Sequence, residues 1–156
     1  ATMLLKPRNN QLLVEYYAPT VRQTASLARK LAKNWQGGQI VALSGELGAG
    51  KTSFVQSVAK YLKITQPLVS PTFTIWQEYA CQHPTIKKLL HIDAYRLSSG
   101  QDLLAIGIDD WVKRADCLII IEWPEIVADW LPKQTKVINL QHQPPGRLIS
   151  WLEPRI

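Results

Sequence analysis

The chain has 156 residues, 46% of them hydrophobic and 19% charged, the composition of an ordinary globular protein with enough length for one cored domain over 1–156. No apolar run approaches the ~20 residues of a membrane span, and the start lacks the apolar core and cleavage site of a signal peptide, so a cytoplasmic protein without a membrane partner is expected. The net charge of +6 admits attraction to nucleic acid, while Cys81 and Cys117, in no metal-type spacing, read as reduced thiols.

In chain order, Leu12–Tyr17 reads as a first strand. Thr20 is an N-cap for a helix over Thr20–Trp35, which Gly37-Gly38 ends. Its apolar side carries Val21, Ala25, Ala28, Leu31, Ala32 and Trp35. Arg22, Arg29, Lys30 and Lys33 form the other side, a solvated face or a contact for tRNA or a partner. Gln39–Ser44 is a short apolar run suited to a buried parallel strand. Next comes Gly45-Glu-Leu-Gly-Ala-Gly50-Lys51-Thr52, which fits the phosphate-loop pattern G-x-x-x-x-G-K-S/T. Phe54, Val55, Val58, Ala59 and Leu62 then recur at helical spacing.

Each residue type in that loop has a physical task. Gly45, Gly48 and Gly50 let the backbone approach a polyphosphate without a Cβ in the way. The amides of Gly45, Glu46, Leu47, Gly48, Ala49, Gly50, Lys51, Thr52 and Ser53 can then point inward as a nest of donors. Lys51, expected on an exposed loop, would reach the β- and γ-phosphates of ATP, and the Thr52 hydroxyl would take a place on Mg²⁺.

Beyond the loop, Pro67 and Pro71 make residues 65–72 irregular. Phe73–Tyr79 and Lys88–Asp93 read as an antiparallel hairpin. Short helical pieces follow over 98–106 and 109–114. Cys117–Glu122 is the most hydrophobic strand and should be central, with a turn or short helix from Pro124. Thr135–Leu140 and Arg147–Leu152 read as a closing pair around Pro144-Pro-Gly146. The whole predicts a three-layer α/β P-loop fold, with a parallel core begun by the early strands and antiparallel edges.

A P-loop NTPase also needs a carboxylate near Mg²⁺, usually at the end of an apolar strand. Asp93 and Glu122 both qualify as catalytic and metal-side residues, and either could instead be a strand-end cap. No Asn-Lys-x-Asp guanine reader is present. Trp123 could stack on an adenine ring or could pack in the core. His83, His91 and His142 are scattered and form no metal pattern.

Four blocks together, Gly45–Ser53, Ser70-Pro-Thr-Phe-Thr74, His91-Ile-Asp-Ala-Tyr-Arg96 and Ile121-Glu-Trp-Pro-Glu125, resemble the signatures of the bacterial TsaE (YjeE) ATPases in order and spacing. Gly107-Ile-Asp-Asp110 is also similar, and the resemblance runs over roughly residues 12–140. It implies a small P-loop ATPase, weak alone and stimulated by TsaB and TsaD, that supports N6-threonylcarbamoyladenosine formation beside the anticodon of tRNAs reading A-starting codons. It further implies that Ser70–Thr74 act as a switch segment, with Thr72 contacting the γ-phosphate. Asp93 and Glu122 would surround Mg²⁺ and the attacking water, and Trp123 would lie at the nucleotide pocket. A small-molecule kinase and a nucleotide-dependent binding switch are the alternatives.

Overall fold

The structure is a computed structural model that describes residues 1–69, 71 and 74–154. The elements run β1 (Thr2–Arg8), β2 (Gln11–Ala18), α1 (Val21–Ala32), β3 (Ile40–Ser44), α2 (Lys51–Tyr61), β4 (Trp76–Ala80) and β5 (Lys88–Asp93). They continue with α3 (Gly100–Ala105), α4 (Ile108–Val112), β6 (Cys117–Glu122), a 3₁₀ turn (Pro124–Val127), β7 (Lys136–Gln143) and β8 (Gly146–Pro154). Among the described residues the eight strands form one mixed sheet in the order β1-β2-β8-β7-β3-β6-β5-β4.

The parallel core is β7-β3-β6-β5. Parallel strands covered on both faces need apolar residues at every position, and Ile40–Leu43 and Cys117–Glu122 are buried without a break. Alternation along β6 sorts its side chains into two cores. Leu118 and Ile120 join the layer under α1 and α2, with Leu27, Phe54, Val55 and Val58. Ile119 and Ile121 join the opposite layer with Leu103, Ile108 and Val127. Each such buried side chain stabilises the fold by about 1.5–3 kcal/mol relative to exposure. This is the expected three-layer α/β architecture, with antiparallel strands on both flanks.

Two expectations change. The strand at 12–17 is not part of the parallel core. As β2 it pairs antiparallel with β1 on one side and β8 on the other. Its alternating, half-buried pattern suits a strand with one covered face, and the parallel partner of β3 is instead β7. The N-terminal stretch, read only as lacking a leader, forms β1, exposed at all seven positions. The first helix also stops earlier than expected, at Ala32, and its buried stripe is Thr24, Leu27, Ala28 and Ala32. Val21, at the first position of the helix, is exposed. The hairpin β4–β5 and the closing pair β7–β8 form as read, although β4 begins only at Trp76. Among the described residues no helix is long and apolar enough to cross a membrane.

Candidate functional site

The glycine-rich loop leaves the C-terminal end of β3, and α2 starts at Lys51 directly behind it. Two glycines are required by the backbone. A Cβ on Gly45 would stand 2.4 Å from the Leu140 carbonyl oxygen. Gly50 caps α2 in the left-handed region at φ 99° and offers no side chain to the helix's first amides. Those amides are therefore left for another acceptor, the arrangement that binds anions at helix N-termini.

Lys51 departs from the exposed position expected of it. It is 5% exposed, and its Nζ donates to the carbonyl oxygens of Gly45 and, at 3.0 Å, Glu46. The same Nζ stands 3.9 Å from the centroid of the Trp123 ring. Burial pushes the ammonium below its ordinary range, while the nearby charges of Glu122, Glu125 and Asp93 oppose that shift. The cation is thus buried and folded back onto its own loop.

The two carboxylates stand side by side. Asp93 ends β5 and Glu122 ends β6, and the two are register partners across the parallel pair. Glu122 is 3% exposed. Its Oε1 accepts from Thr52 Oγ1 at 3.4 Å, and its Oε2 lies 2.6 Å from His91 Nε2. Asp93 Oδ1 accepts from the Tyr95 amide at 3.0 Å. Trp123 holds a left-handed backbone, φ 60° and ψ 51°, a costly conformation for a bulky residue. Its ring contacts Tyr95 with centroids 5.0 Å apart.

One open cleft is lined by Leu47, Gly48, Gly50, Lys51, Thr52, Ser53, Asp93, Glu122 and Trp123, together with Arg147. Of the other residues read from the sequence, Gly45 and Glu46 supply carbonyls to Lys51, and Ala49 is buried beneath the loop. Thr72, like Ser70 and Phe73, lies outside the described residues. Trp123 lies in the cleft lining with its ring beside Lys51.

A divalent ion here would meet oxygen donors only: the Thr52 hydroxyl, already converging on Glu122, and the carboxylates of Glu122 and Asp93. Among the described residues no three His, Cys, Asp or Glu side chains form a ready-made metal cluster. Few protein carboxylates beside a phosphate loop suit Mg²⁺, which keeps waters and shares its shell with substrate phosphates.

At two residues the structure adds contacts that the sequence does not show. Arg147 on β8 donates from Nε to Ala49 O at 3.0 Å and from Nη2 to Gly48 O at 3.3 Å. Nothing in the sequence signals that contact, which spans a separation of 98 positions. His91 opens the His91–Arg96 block of the family resemblance, two residues before Asp93 on the same strand, and only the structure shows its partner, Glu122.

A glycine-rich loop between a parallel strand and a helix, facing carboxylates on the two adjacent strand ends, defines a P-loop-type α/β protein. The family model described as "Threonylcarbamoyl adenosine biosynthesis protein TsaE" matches residues 18–149, and the chain belongs to this family. Three relatives are each named "tRNA threonylcarbamoyladenosine biosynthesis protein TsaE". The one from Streptomyces coelicolor is 42% identical over 102 residues, 64% of this chain and 66% of that protein. The Mycobacterium bovis protein is 30% identical over 139 residues, covering 85% of this chain and 83% of its own length. The Aquifex aeolicus protein is 36% identical over 121 residues, 72% of this chain and 89% of the relative. The crystal structure of Bacillus subtilus YdiB has the same fold, with a TM-score of 0.73 at 24% identity over 99% of this chain and 90% of that one.

Proposed function

We propose that this chain, acting as one domain over 1–156, is a cytoplasmic, Mg²⁺-dependent ATPase that serves tRNA N6-threonylcarbamoyladenosine formation as an accessory to TsaB and TsaD. The observation that carries the chemistry is Lys51, desolvated and folded onto Gly45 and Glu46, in one cleft with Asp93 and Glu122. The relatives' names supply the pathway.

In this reading the polyphosphate lies along the loop, held by the amides of Gly48 to Ser53. Lys51 swings from the loop carbonyls to the β- and γ-phosphate oxygens, where its charge opposes the negative charge of the transition state. Thr52 and at least one of the carboxylates Asp93 and Glu122 would hold Mg²⁺, which would neutralise charge on the β- and γ-oxygens. Whichever of the two carboxylates is left free of the metal orients the attacking water. The nucleoside leaves the loop at the opposite end, past Ser53, toward the small pocket lined by Pro19, Thr20, Val21 and Pro145.

The test is release of ADP and phosphate from ATP by the purified chain, with and without TsaB and TsaD, beside the Lys51→Ala variant. Turnover should rise with the partners, leave no phosphorylated acceptor, and vanish in Lys51→Ala while the far-UV spectrum persists. Turnover that survives Lys51→Ala, or none from the wild type with its partners, rejects the reading. A phosphorylated acceptor would mark a kinase instead.

A further inference from the structure

His91 is fully buried on β5 and takes no part in the chemistry described above. Its Nε2 stands 2.6 Å from Glu122 Oε2, the distance of a charge-assisted hydrogen bond. Its Nδ1 is buried and has no hydrogen-bond partner among the described residues. A proton on Nδ1 would be an orphaned buried donor, whereas a proton on Nε2 is accepted by the carboxylate. The bond therefore assigns the Nε2–H tautomer.

The consequence falls on Glu122. The terminal torsion of a glutamate is soft and nearly two-fold, so a carboxylate without constraint presents either oxygen. Here Oε2 is occupied by His91, and Oε1 accepts from Thr52, the hydroxyl on the phosphate-loop helix. The two oxygens are no longer equivalent. We propose that His91 is a positioning residue, which pins Oε2 and leaves Oε1 as the one Glu122 oxygen that serves Thr52 and the ion–phosphate site. This rests on the ATPase reading above.

The rival explanation is that His91 only fills the core between β4 and β6. Three substitutions separate the two in the full chain. His91→Leu keeps most of the volume and removes the donor. His91→Gln places its amide N–H about where the imidazole Nε2–H stands. His91→Asn is polar but too short to reach Oε2, and it stands in for the leucine variant should that fail to fold.

ADP binding is measured by calorimetry in EDTA and across a Mg²⁺ titration, followed by ATP turnover. In EDTA every folded variant should bind ADP within about twofold of wild type, because the loop amides are untouched. The Mg²⁺ concentration needed to tighten binding should rise by about tenfold or more in His91→Leu, the usual effect of losing a partner that orients a metal-side ligand. The kcat for ATP should fall in parallel, with little change in KM at saturating Mg²⁺. His91→Gln should recover most of both.

A leucine or asparagine variant with wild-type Mg²⁺ response and kcat overturns the proposal. So does equal damage in the glutamine variant, or loss of ADP affinity in EDTA, since either marks a packing role. A wild type whose ADP binding ignores Mg²⁺ overturns it as well. The underlying ATPase reading is judged separately by wild-type turnover and its loss in Lys51→Ala.

Discussion

Arg147 Nε donates to the Ala49 carbonyl at 3.0 Å, so the last hairpin of the chain grips the phosphate loop. The grip has two supports. A second nitrogen of the same guanidinium reaches Gly48 O. The β7–β8 turn is pressed against the end of β2, where a Cβ on Gly146 would come within 2.0 Å of the Ala18 carbonyl oxygen. The guanidinium reaches the two carbonyls from two separate nitrogens held in a rigid plane, whereas a lysine offers one nitrogen on a flexible stem.

Arg147→Ala should therefore loosen the loop without disturbing the core. Hydrogen bonds from a charged donor contribute about 1.5–3 kcal/mol each, and part of that should surface as roughly tenfold weaker ADP binding. Arg147→Lys should not restore it. Calorimetry on both variants checks this, and affinity equal to wild type would reduce Arg147 to a surface contact.

If the proposed site holds ATP, Trp123 should respond to the third phosphate through Lys51. Its ring lies under Lys51 Nζ, and such cation–ring contacts are worth about 0.5–2 kcal/mol. Trp123→Ala should weaken binding of a non-hydrolysable ATP analogue several-fold more than binding of ADP, by roughly the size of that contact. An unchanged ratio of the two affinities would assign the ring to packing against Tyr95.

Alkaline pH should destabilise the fold partly through its two thiols. Burial pushes Cys81 and Cys117 up to about 11, from 9.0. A raised acid pKa means the folded chain keeps protons that the unfolded chain releases. This contribution is complete below pH 9.0 and is lost as pH rises through about 11. Urea midpoints followed across that window should fall more steeply for the wild type than for the Cys81→Ala, Cys117→Ala double variant. Parallel slopes would remove the thiols from the account.

Nucleotide state should be legible to the partner proteins. Ser70–Thr74 follow the phosphate-loop helix in the sequence. If Thr72 contacts the γ-phosphate, hydrolysis releases the segment. A TsaB–TsaD complex should then bind this chain more tightly with an ATP analogue than with ADP, and Thr72→Ala should shrink the difference. Equal affinity in both states leaves no coupling free energy between nucleotide and partner.

The sequence by itself determined what short-range chemistry can write. Loop spacing identified the glycine-rich turn, Thr20 marked the start of α1, and unbroken apolar runs marked β3 and β6 as doubly covered strands. Asp93 and Glu122 could be read as strand-end carboxylates because each closes such a run. Tertiary structure decided everything that depends on which strands become neighbours. Period-two alternation fixes a strand's faces but not its partners, so β2 was misplaced in the parallel core and β1 was passed over. The same limit hid the site's supporting contacts. Arg147 reaches Ala49 only because β8 pairs with β7, and β7 lies beside β3. His91 meets Glu122 only because β5 and β6 are parallel and in register. Lys51 likewise became a buried cation over Trp123 only when the ends of β3 and β6 were brought together by their pairing.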